Sequence, residues 1–174
     1  MRGFTGTWAL ARLALRRERT IAPIWIAVML LIAFGMAANY ARTFPSEDVR
    51  ESFAQEMLRN SVLMAFAGQV VGSNLGALTV WRIGDTVYTL VALMAVFTTI
   101  RHSRADEESG RYELIGGAAI GRYALFAASL MVACGLSAAT GLLTALGLAT
   151  LGFEFVGAVA FGLAIAAIGC TFAA

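Results

Sequence analysis

The side chains best spaced for chemistry lie in one stretch, Arg101-His102-Ser103-Arg104-Ala105-Asp106-Glu107-Glu108-Ser109-Gly110-Arg111-Tyr112-Glu113-Leu114. Three successive carboxylates, Asp106, Glu107 and Glu108, close to the single histidine, are raw material for acid–base catalysis or a cation site. Neither is completed, because no second cluster of His or Asp stands ready to supply the missing base or ligands. The same residues read better as the surface of a helix. Ser103 and Asp106 have the form of a capping box, and the three acids sit where a helix dipole favours negative charge. Glu107 and Arg111 are spaced as an i,i+4 pair, and Gly116-Gly117 is a ready stop, which predicts a helix over Ser103–Ile115. A solvated connector would be built from the same charges. Against it stands economy: a link between two apolar blocks needs far fewer residues.

Such a segment has to be positioned by what flanks it, and the flanks are apolar. Of the 174 residues 59% are hydrophobic and 14% charged, with a mean hydropathy of +0.76. A soluble domain carries roughly 45–50% apolar and about 25% charged residues. The apolar residues also come in long blocks rather than at amphipathic spacing. The sequence therefore predicts an all-α integral membrane protein with about four transmembrane helices.

The blocks place the spans at 21–40, 81–100, 123–148 and 155–174. Residues 1–20 are basic and amphipathic. Phe4, Trp8, Leu10, Ala11, Ala14 and Leu15 share one side of a helical wheel, and Arg2, Arg12, Arg16 and Arg19 crowd the other. That is the pattern of a helix lying in the membrane interface, with Trp8 in lipid and Arg12, Arg16 and Arg19 reaching headgroups. A plain basic flank that only orients the first span is the alternative. The apolar run at 21–40 is fuller than a signal-peptide core, so it reads as a retained anchor with Pro23 in its opening turn. Residues 41–80 read as a loop outside the cytoplasm with a short or re-entrant helix. Pro45-Ser46 followed by acids marks a helix start, and 61–80 is broken by Gln69, Ser73, Asn74 and three glycines. Arg82 and Asp85, at the edge of the second span, are spaced to pair.

Orientation follows from arginine near the span ends. The N-terminal segment holds five and the 101–122 loop four, while the turn at 148–155 has none and the three of the first loop are offset by four acids. The N-terminus and the charged loop are thus expected on the cytoplasmic side. Ionisable residues are nearly absent from the spans: Arg82, Asp85 and Glu154 all lie near an end. An ion-coupled carrier keeps a titratable partner at mid-membrane, so energy for any transport must come from elsewhere. His102 is placed at the cytoplasmic edge, as a headgroup contact.

The last two spans carry small residues at four-residue spacing: Ala133, Ser137, Gly141, Ala145 and Ala149 on one, and Ala158, Gly162, Ala166, Cys170 and Ala174 on the other. Such stripes let helix backbones approach closely. Cys134 and Cys170, inside these blocks without a CxxC pattern, read as small packing residues.

The charged stretch Arg101–Leu114 resembles the "RHTRAEEEAGRAEL" signature of bacterial ATP-binding-cassette permeases of the polyketide antibiotic exporter group, within the wider ABC-2 type. Leu15–Arg19 (Leu-Arg-Arg-Glu-Arg) and Ala77–Arg82 (Ala-Leu-Thr-Val-Trp-Arg) support the likeness, which covers the chain but is sharp only in the loop. The resemblance implies a multi-pass protein of the bacterial cytoplasmic membrane. It makes 1–20 the connecting helix and 103–115 a coupling helix that docks on a separate ATPase subunit. Arg104, Asp106, Glu107, Glu108, Arg111 and Glu113 would be the docking contacts. ATP and magnesium would be bound by that partner, since this chain has no GxxxxGK[ST] loop and needs no cofactor, metal or nucleic acid of its own. The cargo would be lipophilic. Family members hold two six-span halves, so the chain is expected to be one portion of a longer permease, completed by further spans or a second permease copy. A membrane scaffold that recruits a cytoplasmic partner through the charged loop is the competing reading. A membrane-embedded enzyme lacks any triad, metal set or paired intramembrane acids.

Overall fold

A computed structural model describes residues 4–108, 121 and 123–174, with residues 103–108 as helix backbone alone. Across the described residues the chain is all-helical, in the order α1 (Thr7–Arg17), α2 (Ile21–Thr43), α3 (Glu47–Arg59), α4 (Ser61–Ala67), α5 (Leu75–Glu108), α6 (Ala124–Thr150) and α7 (Phe155–Ala173). Four are long and apolar enough to cross a bilayer: α2, Leu75–His102 of α5, α6 and α7. Even α7, the shortest at 19 residues, reaches about 28 Å at 1.5 Å per residue, close to the hydrocarbon thickness.

The element edges have local causes. The Asn60 side chain accepts from the amides of Val62 and Leu63, both at 3.1 Å, and so starts α4. Gly68 ends that helix at φ +75°, a conformation that favours glycine. No helix of spanning length occupies 61–80. Asn74 caps α5 by accepting from the Ala77 amide at 2.7 Å, so that helix opens at Leu75, before the apolar block begins. It also runs past Ile100 without a break, through Glu108. The capping box expected at Ser103 is therefore not a helix start. The turn before it is already helical, so the amides a cap would satisfy are bonded within α5. The pairing expected between Arg82 and Asp85 is also absent. Arg82 lies instead near the Tyr40 hydroxyl on α2.

The bundle centres on α5. Met29, Ala33 and Ala37 of α2 pack with Val87, Val91 and Met94 of α5, and with Phe161 and Ile165 of α7. Every one of these is almost fully buried. The most extensive contact joins α6 to α7, and there the small-residue stripes meet as expected. A Cβ built on Gly141 would strike the Gly162 carbonyl oxygen, and one built on Gly162 would strike that of Gly141. The two backbones therefore touch with nothing between them. One helical turn pair further on, Gly169 lies against the Ser137 side chain. Cys134 and Cys170 are neighbours across the same seam.

Two different caps close the ends of the bundle. At the far end, Tyr40, Ala54, Val70 and Leu78 form a small core that holds α3 against α2 and α5. The rings of Phe44 and Phe53 stand 4.7 Å apart there, and the Trp81 indole donates to the Gly68 carbonyl at 3.0 Å. At the near end, α1 lies across α6, with Ala11 and Ala14 against Ala128 and Val132. The Gly121 amide donates to the Thr5 carbonyl at 2.9 Å, and the Phe4 and Tyr123 rings meet at 5.9 Å, which ties the start of the chain to the start of α6.

Candidate functional site

The expected docking residues fall on the extension of α5. Arg104, Asp106, Glu107 and Glu108 are carried on its backbone as the direct continuation of a spanning helix. Arg111 and Glu113 lie outside the described residues. Whatever moves the 103–108 segment thus acts on α5 without an intervening loop.

Residues expected at the interface split between two environments. Trp8 is 70% exposed, and Arg12, Arg16 and Arg19 are exposed as well, all outward from the bundle. The apolar side of α1 is divided: Leu10, Ala11 and Ala14 turn onto α6, whereas Phe4, Trp8 and Leu15 stay uncovered. One helix can thereby grip the bundle on one side and offer aromatic and aliphatic surface on another.

Between these two groups lies an ionic cluster that sequence reasoning missed. Glu18 is 2% exposed, and its Oε1 accepts from Arg101 Nη1 at 2.8 Å. His102 Nε2 lies 2.9 Å from the same oxygen. A carboxylate can only accept, so the imidazole proton in this contact sits on Nε2. His102 is itself 5% exposed, so it is not the headgroup contact expected of it. Burying a carboxylate is costly unless it is paired, and two cationic or donor groups on one oxygen supply that pairing. A faint signal existed: Glu18 is the lone acid among six arginines in the first 46 residues. Its partners, however, lie 83 and 84 positions downstream, beyond any local pattern.

A second feature opens at the far end. A cavity of about 370 Å³ lies between α5 and α7, bounded by Tyr88, Leu148, Phe153, Ala158 and Phe161, with Glu154 among its lining residues. The rings of Tyr88 and Phe161 are 5.5 Å apart. Its size suits a drug-sized molecule, and an apolar wall with few polar groups is how such molecules are held. Among the described residues no three His, Cys, Asp or Glu side chains gather as a metal ion would require.

No family model matches the chain. It is 40% identical over 173 residues to the multidrug efflux system permease protein Rv1217c of Mycobacterium tuberculosis, a match that covers 99% of this chain and 31% of that protein. The chain thus spans about a third of the length of the curated relative it matches. With four apolar helices of spanning length, the likeness bears out the permease resemblance carried by the charged loop. This is a multi-pass membrane protein related, along its entire length, to an efflux permease.

Proposed function

We propose that this chain is part of the membrane permease of an ATP-driven exporter, one that moves lipophilic compounds such as antibiotics or other drugs across the bacterial plasma membrane. The observation that carries the reading is the match to a multidrug efflux permease along the whole chain. In this reading the N-terminus and the charged segment face the cytoplasm, in keeping with the arginine distribution. A separate ATPase chain binds and hydrolyses ATP, and further permease spans or a second copy complete the path.

The geometry suits that role. The charged segment begins as an uninterrupted extension of α5, so a partner that displaces Arg104–Glu108 displaces a spanning helix as a rigid rod. Lipophilic cargo needs apolar walls rather than ion ligands, and the cavity between α5 and α7 offers them. The scaffold reading makes no use of that cavity.

The test is co-purification of the natural full-length protein with a candidate ATPase, comparing the native chain with Glu107→Arg/Glu108→Arg. Four formal charge units change on the charged segment, so complex yield and drug-stimulated ATP hydrolysis should both fall about tenfold or more. Equal yield and equal stimulation in the two proteins would remove the charged segment from the docking surface.

A further inference from the structure

We propose that Glu18 is the positioning residue of a joint that makes α1 and the base of α2 move as one body with α5. The backbone of Glu18 is the corner between two helices. Its amide donates to the Ala14 carbonyl at 3.0 Å, closing α1, and its carbonyl accepts from the Ala22 amide at 2.9 Å, opening α2. Its side chain then reaches a third helix, with one carboxylate oxygen bound by Arg101 and His102 of α5. One residue thereby fastens three elements.

The chemistry favours a joint over a casual surface contact. Exposed ion pairs contribute little, because water and salt compete for each partner. Here the carboxylate is 2% and the imidazole 5% exposed, and only the guanidinium, at 34%, meets solvent. Separating α1 from α5 would strand a buried carboxylate and a buried imidazole together, so the pair resists partial opening and moves as a unit. His102 also borders a small gap shared with Leu10, Leu13 and Arg17 of α1.

Glu18 lies seven residues before the apolar stretch of α2 reaches Trp25, whereas Arg101 and His102 immediately precede the charged extension of α5. A push on residues 103–108 therefore arrives first at His102, then at Glu18, then at both helices that Glu18 joins. Without this contact the push would reach α2 only by way of side-chain packing. The part of the inference that concerns transport rests on the efflux reading; the mechanical part does not.

The experiment uses the natural full-length protein with Cys134→Ala/Cys170→Ala and spin labels at Leu15→Cys on α1 and Phe97→Cys on α5, both exposed positions. Two readouts are taken: the label-to-label distance distribution by pulsed electron resonance in lipid discs, and ethidium efflux from energised cells. Native protein should give one narrow distance. Glu18→Gln, which keeps shape and removes charge, should reach the membrane in normal amount, broaden the distribution, and lower efflux about tenfold. Glu18→Asp, which keeps a carboxylate able to accept from both partners, should narrow the distance again and recover most of the efflux, which general damage to the fold would not allow. If Glu18→Gln does not accumulate, Arg101→Gln decides by the same readouts, since its side chain is partly solvated and its loss is better tolerated. A native distance in the charge-neutral variant, or native efflux from a protein with a broadened distance, overturns the proposal. Should native protein fail to export ethidium at all, the efflux reading suffers, and the distance distributions alone still judge the joint.

Discussion

The α6–α7 seam and the Glu18 joint hold helices together by opposite means. At the seam two glycines, Gly141 and Gly162, bring backbone against backbone, and cohesion comes from many weak contacts spread along two stripes. At the joint one carboxylate and two donors carry the connection at a single point. The seam tolerates no added volume yet has no single essential polar group. The joint has room at its edge, where Arg101 meets solvent, yet depends on one charge. A permease that changes shape has use for both: a fixed pair of spans, and a linkage whose position is defined but whose surroundings can shift.

The largest effect should come from breaking the seam. Gly141→Leu sets a branched side chain against the Gly162 carbonyl, a backbone obstacle that cannot rotate away. Overpacking of this kind costs about 3 kcal/mol, and the thermal midpoint in detergent should drop accordingly. A Gly141→Leu protein that melts like the native one would show that α6 and α7 are not in backbone contact. At the joint the expected loss is smaller. Glu18→Gln should cost about 2 kcal/mol in the same melt, less than a fully buried pair because Arg101 is partly solvated. Arg101→Gln should cost about half of that, since it leaves the His102 contact in place. The reverse order would mean that Arg101, not Glu18, is the hub.

The same contrast explains what was legible in the sequence. A seam is periodic: small residues recur every fourth position in each helix, and the contact they make is the one the pattern announces. The spans were legible for a similar reason, because apolar length is a local property. The joint has no period. Glu18 looked like one charge in a basic stretch, and nothing near it names Arg101 or His102. Local rules also misplaced Ser103, whose capping box is overruled by a helix already under way, and Arg82, drawn from Asp85 toward a tyrosine on another helix. The far cavity escaped notice because Tyr88, Phe153 and Phe161 are ordinary apolar residues until three dimensions set them around one space.

A chemical probe sharpens the seam without disturbing it. Cys134 and Cys170 are free and are neighbours across α6 and α7. A membrane-permeant oxidant should join them into an intramolecular disulfide, read as loss of labelling by a maleimide after denaturation. The same treatment should fail in Gly141→Leu, where the helices are forced apart. Labelling unchanged by oxidant in the native protein would place the two sulfurs on different faces.

The smallest expected effect tests whether the seam is held by closeness or by hydrogen bonds. Ser137, Thr140 and Thr144 are buried along α6, the positions where polar side chains often bind a neighbouring helix in a bilayer. Here each hydroxyl instead donates backward within its own helix: Ser137 to the Ala133 carbonyl, Thr140 to Leu136 and Thr144 to Thr140, all at 2.8 Å. Thr144→Val keeps the branched shape and removes only a bond that the helix can spare, because the Thr140 carbonyl retains its backbone partner. The change in stability should stay below about 0.5 kcal/mol, in either direction. A loss several times larger would mean that Thr144 reaches across to α7, and that the seam, like the joint, depends on a discrete polar contact. The two regions would then differ in where they hold the helices but not in how.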